Sequence, residues 1–223
     1  LMPVPENCTV TEAAAIPEAF ATAYLNLFIE GRMKAGDTVL VTGGNSGLAS
    51  VIIPMARAFG ARVITTVRND AKAEAVSHLK ADRVIVTDRE DLAAALREEL
   101  DAGHPVDIAI DCLGGDVMGR CLHYLARGAR WIMIAALAGV KTEIDLKNIY
   151  VRNVRIIGST LRSRAPEVKA EILSSLVRDV WGKVSSGEIR PTIFKVLPIT
   201  EAEAAHDLLY TSQSVGKVVM TVE

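Results

Sequence analysis

The feature of this 223-residue chain that most restricts its fold is a repeated alternation of short β-branched runs with longer amphipathic segments. The runs lie at 38–42 (TVLVT), 62–67 (RVITTV), 83–87 (RVIVT), 106–111 (VDIAID), 130–134 (RWIMI) and 154–160 (NVRIIGS). Helical segments occupy about 47–59, 70–80, 89–100 and 116–126, and the fifth gap holds the shorter DLKNIYVR. Because strands joined by helical crossovers pair in parallel, the pattern predicts an α/β, doubly wound parallel sheet of about six strands.

The segments on either side of this alternation predict further elements. Thr9 and Glu12 form a capping box before an alanine-rich helix that should end at Gly31. A long helix is expected from Pro166 to about Ser186, followed by strands at 192–198 and 216–222. Between those strands, a second capping box at 200–203 predicts another helix. The two tail strands have no obvious neighbours in the main sheet, so we expect them to belong to a second, incomplete domain.

Composition excludes several classes of protein. The formal net charge is −2 with acids and bases interspersed, so no nucleic-acid partner is expected. The continuously apolar runs are too short to span a bilayer, so no membrane association is expected. Cys8, Cys112 and Cys121 lack C-x-x-C spacing, which favours a reduced, cytoplasmic location. The four histidines are scattered, and no metal site is predicted.

A glycine-rich turn, TGGNSGLA, joins the first strand to the helix that follows it. Glycines allow the backbone to approach a pyrophosphate closely, and the helix N-terminus supplies unpaired N–H groups and a positive dipole end. The turn therefore predicts a dinucleotide site, the alternative being a glycine-rich turn without a ligand. A second glycine pair, 114–115, follows the fourth strand, which in the usual strand order flanks the same crevice.

The turn alone resembles that of the short-chain dehydrogenases, which need a tyrosine general base with a lysine four residues later. The tyrosines here are Tyr24, Tyr124, Tyr150 and Tyr210, and the residues four positions later are Phe28, Gly128, Val154 and Ser214. None of these is lysine, so the short-chain interpretation fails on its chemistry.

The whole chain instead resembles the zinc-free quinone oxidoreductases of the medium-chain dehydrogenase/reductase superfamily, the p53-inducible quinone oxidoreductase type in particular. The segments that carry the resemblance are AAAIPEAFATAY, AGDTVLVTGGNSGLAS, DIAIDCLGGD, GARWIMIAAL, IIGSTLRSR and EAEAAHDLL with SVGKVVMTV. The resemblance implies a GroES-like catalytic domain ahead of Leu1, for which 1–8 is the connector. It also implies an NADPH-binding Rossmann domain at 9–190 and a return segment of the catalytic domain at 191–223. A homodimer through the edge strand near 154–160 is expected by the same resemblance.

The resemblance assigns the pyrophosphate to the turn after the first strand. The residues that match the family's loop are Gly44, Asn45, Ser46, Gly47 and Leu48. Backbone N–H groups around Ser46 to Leu48 are expected to hold the phosphates.

Cofactor choice is expected to depend on the residues at the end of the second strand. An NAD-type site places Asp or Glu there, whereas this chain has Thr65 and Thr66, with Arg68 shortly after. Asp70, the first acid, fits better as the start of the next helix. Arg68 and Lys72 offer two cations for a 2′-phosphate, and Lys72 matches a position that makes this contact in the family. NADPH is therefore expected, the alternative being two ordinary solvated cations.

Two further residues are expected beside the adenosine half of the cofactor. Thr87 ends the third strand, where relatives often have tyrosine, and its alternative role is a helix N-cap. Cys112 follows the fourth strand, and a small buried residue is expected there rather than a reactive thiol.

The remaining assignments concern the nicotinamide end. Ile134 and Ala135, at the end of the fifth strand, should line the nicotinamide face, or serve only as core. Thr22 matches the family's threonine that contacts the nicotinamide ribose or carboxamide, or is a helix-interior threonine without a ligand. Arg162 and Arg164 match the signature after the sixth strand and either border the cleft or hold the loop.

The expected function is hydride transfer from NADPH to a quinone or another α,β-unsaturated carbonyl. No catalytic residue is assigned, because family members place substrate-facing polar groups largely on the domain ahead of Leu1. The alternatives are an NADPH-binding module without activity, as a truncated, sensing or structural protein, and an enoyl reductase of the same superfamily. An alcohol dehydrogenase of that superfamily is a further alternative.

Overall fold

The fold is seen in a computed structural model that describes residues 2–210 and 214–222. Its main sheet has six strands in the order β3-β2-β1-β4-β5-β6, and all neighbouring pairs are parallel. The strands are β1 (Thr38–Val41), β2 (Arg62–Val67), β3 (Arg83–Val86), β4 (Val106–Asp111), β5 (Leu125–Met133) and β6 (Arg155–Gly158). The predicted doubly wound sheet is confirmed. Because the strand order reverses between β1 and β4, the carboxyl ends of these two strands open the crevice where such sheets bind ligands.

Helices cover both faces of the sheet. They are α1 (Val10–Ala14), α2 (Pro17–Tyr24), α3 (Ala49–Ala58), α4 (Asp70–Ala75), α5 (Leu92–Asp101), α6 (Val117–Cys121), α7 (Leu146–Arg152), α8 (Pro166–Ser185) and α9 (Ala202–Tyr210). One buried cluster joins α2, α3 and α8 to the sheet through residues such as Phe20, Ile52 and Leu176. The other joins α5 and α6 to the opposite face around Leu96 and Trp131. None of the described helices has the length and apolar character needed to cross a membrane.

The N-terminal helix is interrupted, contrary to the prediction of one helix from Thr9 to Gly31. The capping box is confirmed, since Glu12 N donates to Thr9 Oγ1 at 3.2 Å and Thr9 N donates to Glu12 Oε2 at 2.8 Å. However, α1 ends at Ala14, and Pro17 takes the first position of α2. Proline lacks an N–H and therefore starts a helix more readily than it continues one. A π-helical turn, Leu25–Glu30, then extends α2 to Gly31.

Strand β5 begins earlier than its sequence pattern predicted. Leu125 pairs with Val106, and the register then shifts before Arg130 pairs with Ile108. The preceding α6 is correspondingly short and ends at Cys121. The pairing of Leu125 with Val106 therefore extends the strand across 126–129, where the register shifts and the local pattern does not indicate a strand.

The tail forms a separate two-stranded sheet. Strands β7 (Ile193–Pro198) and β8 (Lys217–Thr221) pair in parallel and do not join the six-stranded sheet, as expected. The capping box predicted at Thr200 is wrong, because Thr200 lies inside a 3-10 turn, Ile199–Glu201, and α9 begins at Ala202. The predicted end of that helix at 211–212 lies outside the described residues.

Gly182 offers a test of helix propensity in α8. Its backbone is helical, and a Cβ added there would meet nothing within 4 Å. We expect Gly182→Ala to raise the free energy of unfolding by about 0.5–1 kcal/mol, measured by urea denaturation, because alanine loses less backbone entropy than glycine. Gly31→Ala is the matched control. Its Cβ would lie 2.5 Å from Asn26 O, so that variant should be destabilised. Equal effects of the two substitutions would contradict this argument.

Candidate functional site

The glycine turn between β1 and α3 is folded against the end of β2. Gly43 has a φ of +70°, a left-handed conformation that glycine adopts without strain. Its N–H donates to Thr66 Oγ1 at 3.1 Å, and Gly44 N donates to Thr66 O at 2.7 Å. Thr66 therefore fixes the turn through both its side chain and its backbone.

Close contacts restrict two glycines of the turn, Gly44 more severely than Gly47. A Cβ on Gly44 would overlap Thr65 Oγ1 and lie 3.1 Å from Thr65 Cγ2. Thr65 cannot easily move, because it is fully buried and its hydroxyl donates to Val41 O at 2.8 Å. A Cβ on Gly47 would lie 3.0 Å from both Gly216 O and Lys217 Cδ. Thr65 thus packs against the turn at Gly44, and its hydroxyl hydrogen bond to Val41 O holds it in place.

The turn presents two unpaired backbone donors at the start of α3. Ser46 N donates to Gly43 O at 2.9 Å, and Ser46 Oγ accepts from Ala49 N at 3.0 Å. The N–H groups of Gly47 and Leu48 donate to no atom of the described residues. The predicted donor set around Ser46 to Leu48 is therefore reduced to two, because the Ser46 N–H is used within the turn. Two free N–H groups at the positive end of a ten-residue helix suit a phosphate.

The opposite side of the crevice is fixed by Asp111, a residue that the sequence analysis does not assign to the site. Its Oδ1 accepts from Thr42 Oγ1 and Leu113 N, both at 2.9 Å, and from Gly114 N at 3.2 Å. Its Oδ2 accepts from Trp131 Nε1 at 3.1 Å. This buried carboxylate therefore ties the end of β1 to the bend after β4.

Several of the predicted residues meet beneath the turn. Ser46, Leu48, Cys112 and Ile134 line a cavity of about 10 Å³, with Ile134 just beyond the end of β5. Cys112 Sγ donates to Thr42 O at 3.2 Å. Burial raises the pKa of the Cys112 thiol, which agrees with a packing role rather than a reactive one. Ala135 follows Ile134 in the same partly buried segment.

A larger cavity of about 460 Å³ lies over the ends of β2, β3 and β4. Its lining residues are Thr66, Thr87, Asp88, Arg89, Glu90, Asp91, Leu92, Leu113, Val117 and Arg120. Thr87 Oγ1 donates to Val67 O at 3.3 Å. The alternative role of Thr87 as a helix N-cap is wrong, because Asp91 caps α5 by accepting from Ala94 N at 2.9 Å.

Two arginines, Arg89 and Arg120, line this cavity, whereas the predicted pair, Arg68 and Lys72, does not. Arg68 Nε lies 3.6 Å from Asp88 Oδ1, and both side chains are exposed. Lys72 makes no ion pair within the described part of the chain. Asp70 is the first residue of α4, as predicted, and Asn69 caps that helix by accepting from Lys72 N at 3.1 Å.

A second large cavity, of about 510 Å³, lies between α2, α8 and the loop after β6. It is lined by Pro17, Glu18, Ala21, Leu161, Arg162, Lys169 and Leu173. Thr22 lies one turn from Glu18 and donates to its Oε1 at 3.3 Å. Arg162 borders this cavity, whereas Arg164 pairs with Glu30 and donates to Thr160 O at 3.1 Å. Arg162 therefore suits the predicted role of bordering the cleft, and Arg164 suits the predicted role of holding the loop.

Lys217 connects the turn to the second cavity. Its Nζ lies 3.0 Å from Glu18 Oε2, and its Cδ lies beside Gly47. No local pattern in the sequence predicts this role for Lys217, because it is far from Gly47 along the chain and belongs to the tail sheet. The local sequence, Gly216 followed by Lys217 at the start of β8, only weakly indicates a residue of the site.

Metal binding has no support within residues 2–210 and 214–222. No three His, Cys, Asp or Glu side chains of this part are grouped so that they could hold a metal ion.

Comparison with known proteins agrees with this geometry. The family described as Zinc-binding dehydrogenase matches residues 47–178. The lovastatin diketide synthase lovF of Aspergillus terreus is 29% identical over 225 residues, which cover 98% of this chain and 9% of that protein. The quinone oxidoreductase-like protein 2 homolog of Nematostella vectensis is 28% identical over 226 residues, covering 100% of this chain and 61% of that protein.

Solved structures are similar to this chain over nearly its whole length. The quinone oxidoreductase of Thermus thermophilus, solved also in complex with NADPH, superposes with a TM-score of 0.82 at 28% identity. The match covers 98% of this chain and 69% of that one. This chain thus spans about a tenth of the synthase and 61% of the Nematostella protein. Because the family match covers more than half of the residues and the fold agrees, the chain belongs to the zinc-binding dehydrogenases of the medium-chain dehydrogenase/reductase superfamily.

Proposed function

We propose that this chain binds NADPH and forms the nucleotide-binding part of an oxidoreductase that reduces quinones or other α,β-unsaturated carbonyls. The observation that carries the proposal is the pair of free N–H groups at Gly47 and Leu48. Thr66, which holds the turn, also lines the 460 Å³ cavity, and Lys217, beside Gly47, pairs with Glu18 of the 510 Å³ cavity. A dinucleotide has this shape, with its diphosphate in the middle and a ring system at each end. The close contacts of Gly44 and Gly47 support the fit, because the turn packs against Thr65 and Gly216 without side chains of its own at these two positions, and its backbone is thus open to a pyrophosphate.

The preference for NADPH over NADH is supported by charge. The side chains that end β2, Thr66 and Val67, are not acidic, so no carboxylate on the strand itself can accept from a ribose 2′-hydroxyl. Arg68 is exposed, and Lys72 makes no ion pair with another described residue. Both cations can therefore turn towards a phosphate, which is the strongest kind of partner for them.

The acceptor is proposed to lie in or beside the 510 Å³ cavity, whose walls include Pro17, Ala21, Leu161 and Leu173. Bound NADPH supplies a hydride, and the chain's own residues orient the two reactants and exclude water. Thr22, held by Glu18, is proposed to face the nicotinamide ribose or carboxamide, with Ile134 and Ala135 along the ring. The family's name refers to zinc, but the described residues do not form a zinc site, and no step is assigned to a metal.

An enoyl thioester is the second candidate acceptor. The similarity to a diketide synthase covers 98% of this chain, and the conjugated carbonyl of an enoyl thioester can accept a hydride as a quinone does. The proposal places the chain in the cytoplasm, where its three unpaired cysteines would remain reduced. Residues 191–223 are proposed to pack with a catalytic domain, while 9–190 hold the nucleotide.

The experiment that tests the function has two stages. Titration of the protein with NADPH and with NADH, measured by calorimetry, should give binding that is tighter for NADPH. Oxidation of NADPH is then followed by its absorbance with 1,4-benzoquinone and with a trans-2-enoyl thioester as acceptors. Turnover with either acceptor supports the reductase, and the faster acceptor identifies its class. Binding without turnover supports the non-catalytic module for this chain and leaves the reductase as the function of a longer protein. The absence of nucleotide binding would overturn the proposal.

We also propose a homodimer through the outer edge of β6. Within the described residues, β6 pairs only with β5. Ile156 on β6 is exposed, and so are Tyr150 and Val151 on α7, the helix that precedes β6 along the chain. An unpaired edge flanked by apolar side chains is suited to association with a second copy.

Ile156→Asp is therefore expected to convert the dimer into a monomer, because it places a charge in the apolar contact. Sedimentation velocity at several protein concentrations measures the change. Val168→Asp is the control, since Val168 is similarly exposed but lies on α8. A wild-type protein that is monomeric at all concentrations would contradict the proposed dimer.

A further inference from the structure

Two ion pairs connect residues 68–70, after β2, to Asp88 and Arg89, which line the 460 Å³ cavity. Arg89 Nη2 lies 3.1 Å from Asp70 Oδ1, and Arg68 Nε lies 3.6 Å from Asp88 Oδ1. Arg89 also lines the cavity, whereas Arg68 and Lys72 stand outside its lining. Arg89 is thus the cation that faces both the cavity and the start of α4.

We propose that Arg89 binds the ribose 2′-phosphate and is the main determinant of NADPH preference, an inference that rests on the proposed function. Its guanidinium offers planar, paired donors that match two phosphate oxygens, which a 2′-phosphate supplies and a ribose 2′-hydroxyl does not. Neither the motif of the glycine turn nor the end of β2 indicates this role, because Arg89 lies in the loop between β3 and α5.

The pairing with Asp70 gives Arg89 a second effect on cofactor choice. Asp70 is the first acid after β2 and lies three residues beyond Val67, close to where an NAD-type site holds its carboxylate. Arg89 neutralises this carboxylate, which would otherwise repel a phosphate and accept from a ribose hydroxyl. Loss of Arg89 therefore removes a phosphate ligand and exposes an acid at the same time.

The other acids around this cavity are already engaged. Asp88 pairs with Arg68, and Asp91 caps α5 and pairs with Arg120. Glu90 Oε1 accepts from Val86 N at 3.1 Å, and its Oε2 lies 3.7 Å from Arg83. Asp70 is consequently the acid near this cavity whose ion pair is made by Arg89.

The test measures binding and does not depend on turnover. Calorimetry is performed on the full chain with NADPH, NADH, 2′,5′-ADP and AMP, using the wild type, Arg89→Ala, Asp70→Asn and the double variant. Arg89→Ala should weaken NADPH and 2′,5′-ADP by about tenfold or more and change NADH and AMP by no more than about twofold. Asp70→Asn should strengthen NADPH severalfold, and the double variant should recover part of the loss. Arg97→Ala is the control, because Arg97 is exposed on α5 and pairs only with Asp101 among the described residues.

The outcomes separate this inference from the proposed function. If the wild type prefers NADPH and Arg89→Ala behaves like Arg97→Ala, the role of Arg89 is overturned while the function stands. Equal losses for NADPH and NADH would also overturn it, since they would assign Arg89 to the adenine or to the fold. A wild type that binds neither nucleotide overturns both. Thermal unfolding of each variant distinguishes weaker binding from loss of the folded state.

Discussion

Replacement of Asp111 by alanine is expected to lower the free energy of unfolding by about 3–5 kcal/mol, a large part of the stability of a domain this size. The carboxylate is fully buried and accepts hydrogen bonds from Thr42 Oγ1, Leu113 N, Gly114 N and Trp131 Nε1. Alanine would leave these donors without an acceptor in a site that water does not reach. Burying unsatisfied donors costs more than the bonds themselves contribute.

A graded series separates this cause from simple loss of volume. Asp111→Asn keeps one carbonyl oxygen for the three donors at Oδ1 but turns an amide NH₂ towards Trp131 Nε1, so it should cost less, about 1–3 kcal/mol. Urea denaturation measures both variants, and Asp101→Ala serves as the control because that acid is exposed at the end of α5. Its effect should stay within about 0.5 kcal/mol. An Asn variant as unstable as the alanine variant would contradict the hydrogen-bond explanation.

Asp111 also shows why part of the site could not be predicted from the sequence. Locally it is the last residue of an apolar strand, and nothing nearby in the sequence marks its partners. Thr42 is 69 residues away and Trp131 is 20 residues away. Only the parallel pairing of β4 with β1 and β5 brings these groups together. Lys217 is missed for the same reason, since its contact with Glu18 spans 199 residues.

The features that could be predicted are those with a local cause. The parallel, doubly wound sheet follows from the alternation of strands and crossovers, and the turn at 43–47 follows from its glycines between a strand and a helix. The errors arise where two local signals compete. Pro17 interrupts a helix whose apolar pattern continues, and Asp91 takes the cap of α5 four residues after Thr87. Threonine and aspartate are both favourable helix N-caps, and proline is favourable at the first position of a helix. The sequence pattern alone therefore does not decide at which of these residues a helix begins.

The largest functional loss is expected from Gly47→Asp, which should weaken NADPH binding by about a hundredfold or more, equivalent to about 2.7 kcal/mol. The new carboxylate would lie beside the free N–H groups of Gly47 and Leu48 and beside Lys217. It can accept from those donors itself, because an acid is favourable at the start of a helix. The fold should therefore tolerate the change, while the phosphate would meet a negative charge in place of two donors.

Gly47→Ala isolates the steric part of this effect. Its Cβ would lie 3.0 Å from Gly216 O, so the return segment must shift slightly, and a loss of about tenfold or less is expected. Calorimetry with NADPH measures binding, and urea denaturation confirms that both variants are folded. Equal losses for the alanine and aspartate variants would mean that the turn is sensitive to shape alone. Unchanged binding by folded Gly47→Asp would remove the diphosphate from this turn, since no anion can occupy the same two N–H groups as the new carboxylate.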